Sequence, residues 1–265
     1  MAQGTLVRVT SYRRSPEWKN AATLNQQGMR TLKELARSYI TMTRDLTRVM
    51  NRLKAIYRSW AIPCAGRDVY YTRHRSQWLA KIREAGPRRR AEQLYQQLDM
   101  LQHLRQQARR ELLRESRKHS IIAKLRQIPA LGPIRCALAV ALIQTPHRFR
   151  SKRQLWKYCG LALETRISGE YVYVQDERRR SKKQLSIRGL NKDHNHDLKG
   201  LFKGAATRAS VMPGPFQEFY QRSLAKGIKP TMVCLTLARK IAAITLTLWK
   251  KGESFDVQKL KSQAA

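Results

Sequence analysis

Carboxylates are scarce in this chain. Its 265 residues hold 18 Asp and Glu against 54 Lys and Arg, a formal charge of +36. So small a supply of acid argues against an enzyme centred on paired carboxylates, because only nine acids stand in the first 120 residues and most fall at positions expected on exposed helix faces. Cysteine is also sparse. Cys64, Cys136, Cys159 and Cys234 are 72, 23 and 75 residues apart, which matches neither a disulfide framework nor a C-x-x-C metal knuckle, so all four are expected to be reduced. Long apolar runs are missing: Ile134 to Ile143 is broken by Arg135, Ile241 to Trp249 follows Arg239 and Lys240, and nothing approaches the ~20 residues of a membrane span. No secretory apolar stretch follows the start either, as Met1 to Arg14 already carries three arginines. The expectation is a cytoplasmic, nucleoid-associated protein without a membrane partner.

What is present points to a polyanion. Apolar residues make up 42% of the chain, enough for a core in each of about two domains. Dividing the chain at residue 120 gives 26 basic against 9 acidic residues before the cut and 28 against 9 after it, or +17 and +19. The charge covers the whole body and is not a tail, so both halves are expected to touch the partner.

Apolar residues recur at Leu32, Leu35, Tyr39, Met42, Leu46, Val49, Leu53, Ile56 and Trp60, in steps alternating between 3 and 4. That is an uninterrupted heptad seam, with Arg37, Arg44, Arg48, Arg52 and Arg58 lying off it. Pro63 and Gly66 end the helix, a short helix is expected near Arg75 to Arg83, and Gly86-Pro87 punctuates the connection. A second long helix follows with Ala91, Leu94, Leu98, Leu101, Ala108 and Leu112 in register and Arg105 interrupting. Two such helices pair antiparallel within one chain or between two copies, and a homo-oligomer joined through this coiled coil is expected.

The pattern changes near Ile121. A helix ending at Ile128, the turn Pro129-Ala130-Leu131-Gly132-Pro133 and a small-residue helix from Ile134 form a helix-hairpin-helix pattern, whose exposed amides at the start of the second helix can take a phosphate without reading sequence. The usual pattern has glycine at both turn positions, whereas the first here is Ala130, which a left-handed conformation would strain. Arg148, Arg150, Lys152 and Arg153 extend this turn into a backbone-binding track, ahead of a short amphipathic helix stopped by Gly160. Ile167 to Asp176 has strand-like alternation, and Arg178, Arg179, Arg180, Lys182 and Lys183 follow in what reads as a basic loop. Helices are expected near Leu198 to Ser210, Phe216 to Ala225 and Pro230 to Trp249, with a frayed tail from Glu253.

Among hydroxyls, Ser168 is the best placed for nucleophilic chemistry. Gly169 beside it permits a bulky backbone to approach, and Arg166 and the arginine run could neutralise a phosphate there. Taken from spacing alone, a serine in a turn is more often structural. His194 and His196 could share one face of a strand as metal ligands, but no further ligand cluster is in view and no metal site is assigned.

The stretch from IPALGP through RFRSKRQLWKYCGLALETRISGE to RGLNKDHNHDLKGLFKGAA resembles the C-terminal domain of the IS110 insertion-sequence transposase family, strongly over roughly 120–250, and the helix from Thr31 to Trp60 resembles that family's coiled-coil entry. The resemblance implies a DNA transposase in which Ser168, within ISGE, is the nucleophile that attacks a DNA phosphodiester and holds a covalent intermediate. It implies further a RuvC-like DEDD domain whose carboxylates bind Mg2+, and a structured guide RNA. This chain opens MAQGTLVRVTSYRRSPEWKN, with Glu17 the only carboxylate before Glu34, so it reads as lacking the DEDD half and binding no cofactor itself. The family's basic-Gly-Asn element is altered here to Arg188-Gly189-Leu190-Asn191.

The expected fold is therefore mainly α: an irregular 1–29, a long antiparallel coiled-coil arm over 30–120, a helix-hairpin-helix serine domain with a short β-hairpin over 121–252, and a tail over 253–265. The alternative function is a catalytically inactive DNA- or RNA-binding remnant of such a transposase.

Overall fold

In the computed structural model, which describes residues 16–166, 171–174, 177–180 and 186–256, one helix dominates the N-terminal half. This helix, α1 (Pro16–Ser59), starts well before the seam and runs through much of the segment expected to be irregular. It ends where Ala61 takes a left-handed φ of 55° and the Tyr57 carbonyl accepts from the amides of Trp60 and Ile62, ahead of Pro63. Two 3-10 turns (Asp68–Tyr70 and Thr72–His74) and α2 (Arg75–Ala80) cap the reversal, and α3 (Ala85–Ser116) returns along α1. Gly86 and Pro87 lie in the first turn of α3, where proline's missing N–H costs nothing.

The seam is filled within one chain. Leu46, Val49, Leu53 and Ile56 of α1 are buried with Ala91, Leu94, Tyr95 and Leu98 of α3 and with Cys64, Val69 and Ile82 from the tip. Trp60, expected as its last member, is 47% exposed, and Tyr57 is fully buried in its place. The reason is polar. The Tyr95 hydroxyl donates to the Val69 carbonyl at 2.9 Å, which commits its one proton, so the Tyr57 hydroxyl donates to Tyr95 at 3.1 Å. Burial raises the pKa of both phenols. The Arg75 guanidinium lies over the Tyr95 ring and grips Asp99 with two hydrogen bonds, which lowers the Asp99 carboxyl below its ordinary range.

The rest of the chain is also helical: α4 (Ser120–Leu125), α5 (Pro133–Ile143) and α6 (Lys152–Tyr158), then, after a strand region, α7 (His196–Val211), α8 (Pro215–Ala225) and α9 (Pro230–Lys251). Proline at N1 opens α5, α8 and α9, and the Asn195 side chain caps α7 by accepting from the Leu198 amide at 3.0 Å. The core is built from small residues that let helices approach closely: Ala137, Ala139 and Ala141 of α5, Ala205, Ala206 and Ala209 of α7, Ala238 and Ala242 of α9. Leu32 and Ala36 of α1 and Leu112 of α3 belong to this same core, so residue 120 does not divide two separately packed bodies. The root of the arm is part of the domain.

Helix α9 corrects the reading of the apolar runs. It is 22 residues long, with a window of mean hydropathy 1.5, long and apolar enough to cross a membrane by length and composition alone. Here Leu237, Ala238, Ile241, Ala242 and Leu246 pack into the core instead. The tail is corrected too: the Phe255 ring lies 6.1 Å from that of Phe216 and its amide donates to Gln127, so residues up to 256 are held against the domain.

Four strands stand where one hairpin was expected. β1 (Leu163–Arg166) pairs antiparallel with β4 (Ser186–Leu190), with an irregularity between Leu163 and Thr165. β2 (Tyr171–Val174) pairs antiparallel with β3 (Glu177–Arg180) in the register Tyr171↔Arg180 to Val174↔Glu177. Arg178, Arg179 and Arg180 are therefore in a strand and not in a loop: facing the Tyr171–Val174 edge satisfies their backbone in a ladder.

Candidate nucleic-acid interface

The turn between α4 and α5 has the predicted strain. Ala130 has φ +70°, the region glycine favours, and Leu131 donates back to the Ile128 carbonyl at 3.1 Å to close the turn. The Arg135 guanidinium donates to the Ala130 carbonyl at 3.1 Å and holds the turn from the first helical residues. Gly132 has φ −69° and ψ 171°, a conformation open to any residue, and an added Cβ there would meet nothing within 4 Å. The two turn positions thus trade roles: the site that needs glycine has alanine. Replacing Ala130→Gly should raise stability by about 1 kcal/mol by removing the left-handed penalty, offset in part by the entropy of the unfolded chain. Urea titration of both proteins measures it, and a destabilised variant would mean that the alanine methyl is a packing contact.

Gly132 is exposed at the start of α5, where Gly132, Ile134 and Arg135 present amides that a helix leaves without internal partners. From there the chain passes a 3-10 turn (Pro146–Arg148) into α6. Arg148, Arg150, Lys152 and Arg153 are all exposed. The Arg148 guanidinium lies 4.7 Å from the Tyr158 ring centre and 5.3 Å from that of Phe149, and the Lys152 ammonium 5.9 Å from that of Trp156. Aromatic faces thus hold two of the four cations out toward solvent.

A reciprocal pair fixes α6 to the core helix. The Trp156 indole donates to the Arg239 carbonyl at 2.9 Å, and the Arg239 guanidinium donates to the Leu161 carbonyl at 2.6 Å. Burial lowers the pKa of Arg239, and that of Lys240 beside it, which lies over the Phe219 ring. After α6, Cys159 is buried, and burial raises its thiol to about 12, so it is protonated at neutral pH; the same holds for Cys136.

Gly160 turns the chain with φ +63°, and the His194 ring sits where its Cβ would be, 2.4 Å from that position. The Asn195 amide donates to the Tyr158 carbonyl at 2.9 Å and the Asn191 side chain to the Lys157 carbonyl at 3.2 Å, so the turn before α7 is laced onto the end of α6. His194 and His196 stack with ring centres 4.4 Å apart, and neither nitrogen of His194 has a hydrogen-bond partner among the described residues. Among the described residues no three of His, Cys, Asp and Glu converge as metal ligands, so the chain offers no described set that fits Mg2+.

Ser168 lies outside the described residues, between β1 and β2 in chain order, as do Lys182 and Lys183 between β3 and β4. Arg166 and Arg178 to Arg180 have their backbones placed at the facing strand ends and edges.

The structure gives a site to cations that the sequence showed only as lying off the seam, and adds Lys33 to them. Lys33, Arg37 and Arg44 of α1 line a cleft of about 470 Å³ against the domain, whose far wall carries Gln144, Arg148 and Tyr158. Asn195 and Asp197, at the start of α7, close it, and Arg44 forms an ion pair with Asp197. The signal was present as spacing: 33, 37 and 44 differ by 4 and 7, a basic stripe beside the apolar seam. Its partner surface lies more than a hundred residues away.

These features define a helical, strongly basic domain with an arm rooted in its core, and part of it is similar in sequence to known proteins. Residues 122–221 match the profile of the transposase IS116/IS110/IS902 family. Over 133 residues, 49% of the chain, the sequence is 27% identical to an uncharacterized 44.8 kDa protein of insertion element IS116 from Streptomyces clavuligerus. The matched stretch takes in 29% of that protein's length.

Proposed function

We propose that this chain is the DNA-binding and strand-transferring portion of an insertion-sequence transposase, with Ser168 as nucleophile. The observation that carries the reading is that the matched transposase segment, 122–221, contains both the Ala130–Gly132 turn and the ISGE sequence around Ser168. Exposed Arg148, Arg150, Lys152 and Arg153, together with the amides at the start of α5, give a surface suited to phosphates and blind to base sequence. Chemically, the Ser168 Oγ attacks phosphorus as one P–O bond to a flanking sugar breaks. The serine proton passes to a base and the departing sugar oxygen is protonated in turn. One phosphodiester replaces another, so the covalent intermediate conserves the bond energy for rejoining. Arg166 and the arginines of β3 neutralise the phosphate. The Mg2+ that such a transposase uses would be held by carboxylates outside the described residues and would stabilise charge on the phosphate under attack, and a structured guide RNA is a further partner on this reading.

In a complete transposase context, Ser168→Ala should abolish the covalent protein–DNA adduct while leaving DNA affinity within about twofold, because the hydroxyl is a small part of a cationic surface. Ser181→Ala and Ser186→Ala should leave the adduct intact. Mapping the DNA-linked peptide by mass spectrometry checks this: an adduct on either of those serines, or one that survives in Ser168→Ala, overturns the assignment.

A further inference from the structure

The cleft between α1 and the domain has a composition that structure alone does not require. Four cations and one carboxylate line it, and Arg44 already satisfies that carboxylate, Asp197. Lys33 has no ion-pair partner among the described residues, and the Glu34 partner of Arg37 stands on the outer surface with both side chains more than half exposed, where such a pair is worth little. Gathering like charges into a concavity raises the local potential and is unfavourable unless an anion occupies it.

The remaining lining narrows the ligand. The Thr41 and Tyr158 hydroxyls and the Gln144 and Asn195 amides both donate and accept, and the Asn195 amide already donates to Tyr158 at 3.5 Å, so the surplus of donors comes from the ammonium and guanidinium groups. An acceptor-only group fits, and a cation or an apolar ligand does not. The volume, about 470 Å³, exceeds a lone phosphate and accommodates one with its adjoining sugar. Arg148 belongs both to this cleft and to the exposed track leading from Arg150 to Arg153, so the two surfaces are continuous.

We infer that the cleft is a phosphodiester-binding subsite, in which Lys33, Arg37 and Arg148 take a backbone phosphate of a nucleic-acid strand as it passes from the domain onto the root of the arm. The Arg44–Asp197 pair sets the spacing between the two walls. Nothing in a phosphodiester distinguishes DNA from RNA, and the inference rests on the proposed function for the polyanion in the adjoining track. Because Leu32 and Ala36, beside Lys33 and Arg37, are buried in the domain core, the strand would bind two surfaces that move as one.

The test uses the full chain with labelled duplex DNA and, separately, duplex RNA of equal length, titrated by anisotropy over a range of salt. Lys33→Gln/Arg37→Gln should weaken binding roughly tenfold and make the log–log salt slope shallower by about 0.9 for each DNA phosphate that is no longer neutralised. The control Arg109→Gln/Arg110→Gln removes the same charge from exposed α3 and should leave the slope nearly unchanged. The nucleic acid on which the cleft pair acts identifies the source of the phosphate. Equal effects of the two pairs, or an unchanged slope in the cleft pair, overturn the subsite while leaving the proposed function standing. A parent chain that binds neither nucleic acid overturns both.

Discussion

Leu53→Asp should destabilise the arm by at least about 4 kcal/mol, because it removes a fully buried side chain and leaves an unpaired carboxylate among apolar neighbours. Few domains have more than two or three times that in total. Leu53 lies where α1 meets Ala91, Leu94 and Leu98 of α3, with no cation of the seam itself to pair a new charge. The loss should appear as reduced helical circular dichroism and a fall in the thermal midpoint. Ala55→Asp, exposed two residues on, is the control and should cost under about 1 kcal/mol. Equal, small effects at both positions would mean that the hairpin is not the packed form of these helices. Because the seam is filled inside one chain, the homo-oligomer expected from the heptads is not needed to bury it, and the measurement reads the arm's own folding.

Gly160→Ala is the second large effect, with two separable causes. The position has φ +63°, costing an alanine about 1–2 kcal/mol, and the added Cβ would fall 2.4 Å from the His194 ring, so the ring must move. Moving it strains the contacts that lace the turn to α6, among them the Asn195 amide on the Tyr158 carbonyl. The expected total is about 3 kcal/mol. A double-mutant cycle separates the causes: His194→Ala in the Gly160→Ala background should recover the steric part and leave the backbone part. Additive losses from the two substitutions, or a neutral Gly160→Ala, would show that the histidine does not occupy that space.

Much of this architecture was legible from residue order. The 3–4 alternation from Leu32 to Ile56 identified the buried stripe of α1, and Pro63, Gly66 and the Pro129–Pro133 turn located the breaks after α1 and before α5, whereas Gly86 and Pro87 fell inside α3. The turn at Ala130 was readable down to its strain, because the cost of a left-handed alanine depends on one residue's own backbone. The second strand pair was less legible, since β1 and β4 are separated by the whole of β2 and β3 and neither is long enough to show a period. The arginines of β3 carried a misleading signal: consecutive cations suggest a solvated loop, yet a strand places alternate residues on opposite faces at no cost to its ladder. The candidate serine was legible only through resemblance, as spacing alone leaves a serine beside a glycine an ordinary turn.

Residue order by itself determined the charge, the helical content, the seam and the strained turn, all of which follow from composition or from neighbours within a few positions. Tertiary structure alone decided that α1 is shared between the arm and the domain core, that Tyr57 rather than Trp60 closes the tip, and that His194 lies on Gly160. It also decided that Lys33, Arg37 and Arg44 face Arg148 and Asp197 across a cleft. Each of these joins residues far apart in the chain, and the physical reason is common to them. A helix specifies which side chains share a face, but what that face meets depends on where the packing of Leu32, Ala36 and Leu112 against the small-residue core sets the whole rod.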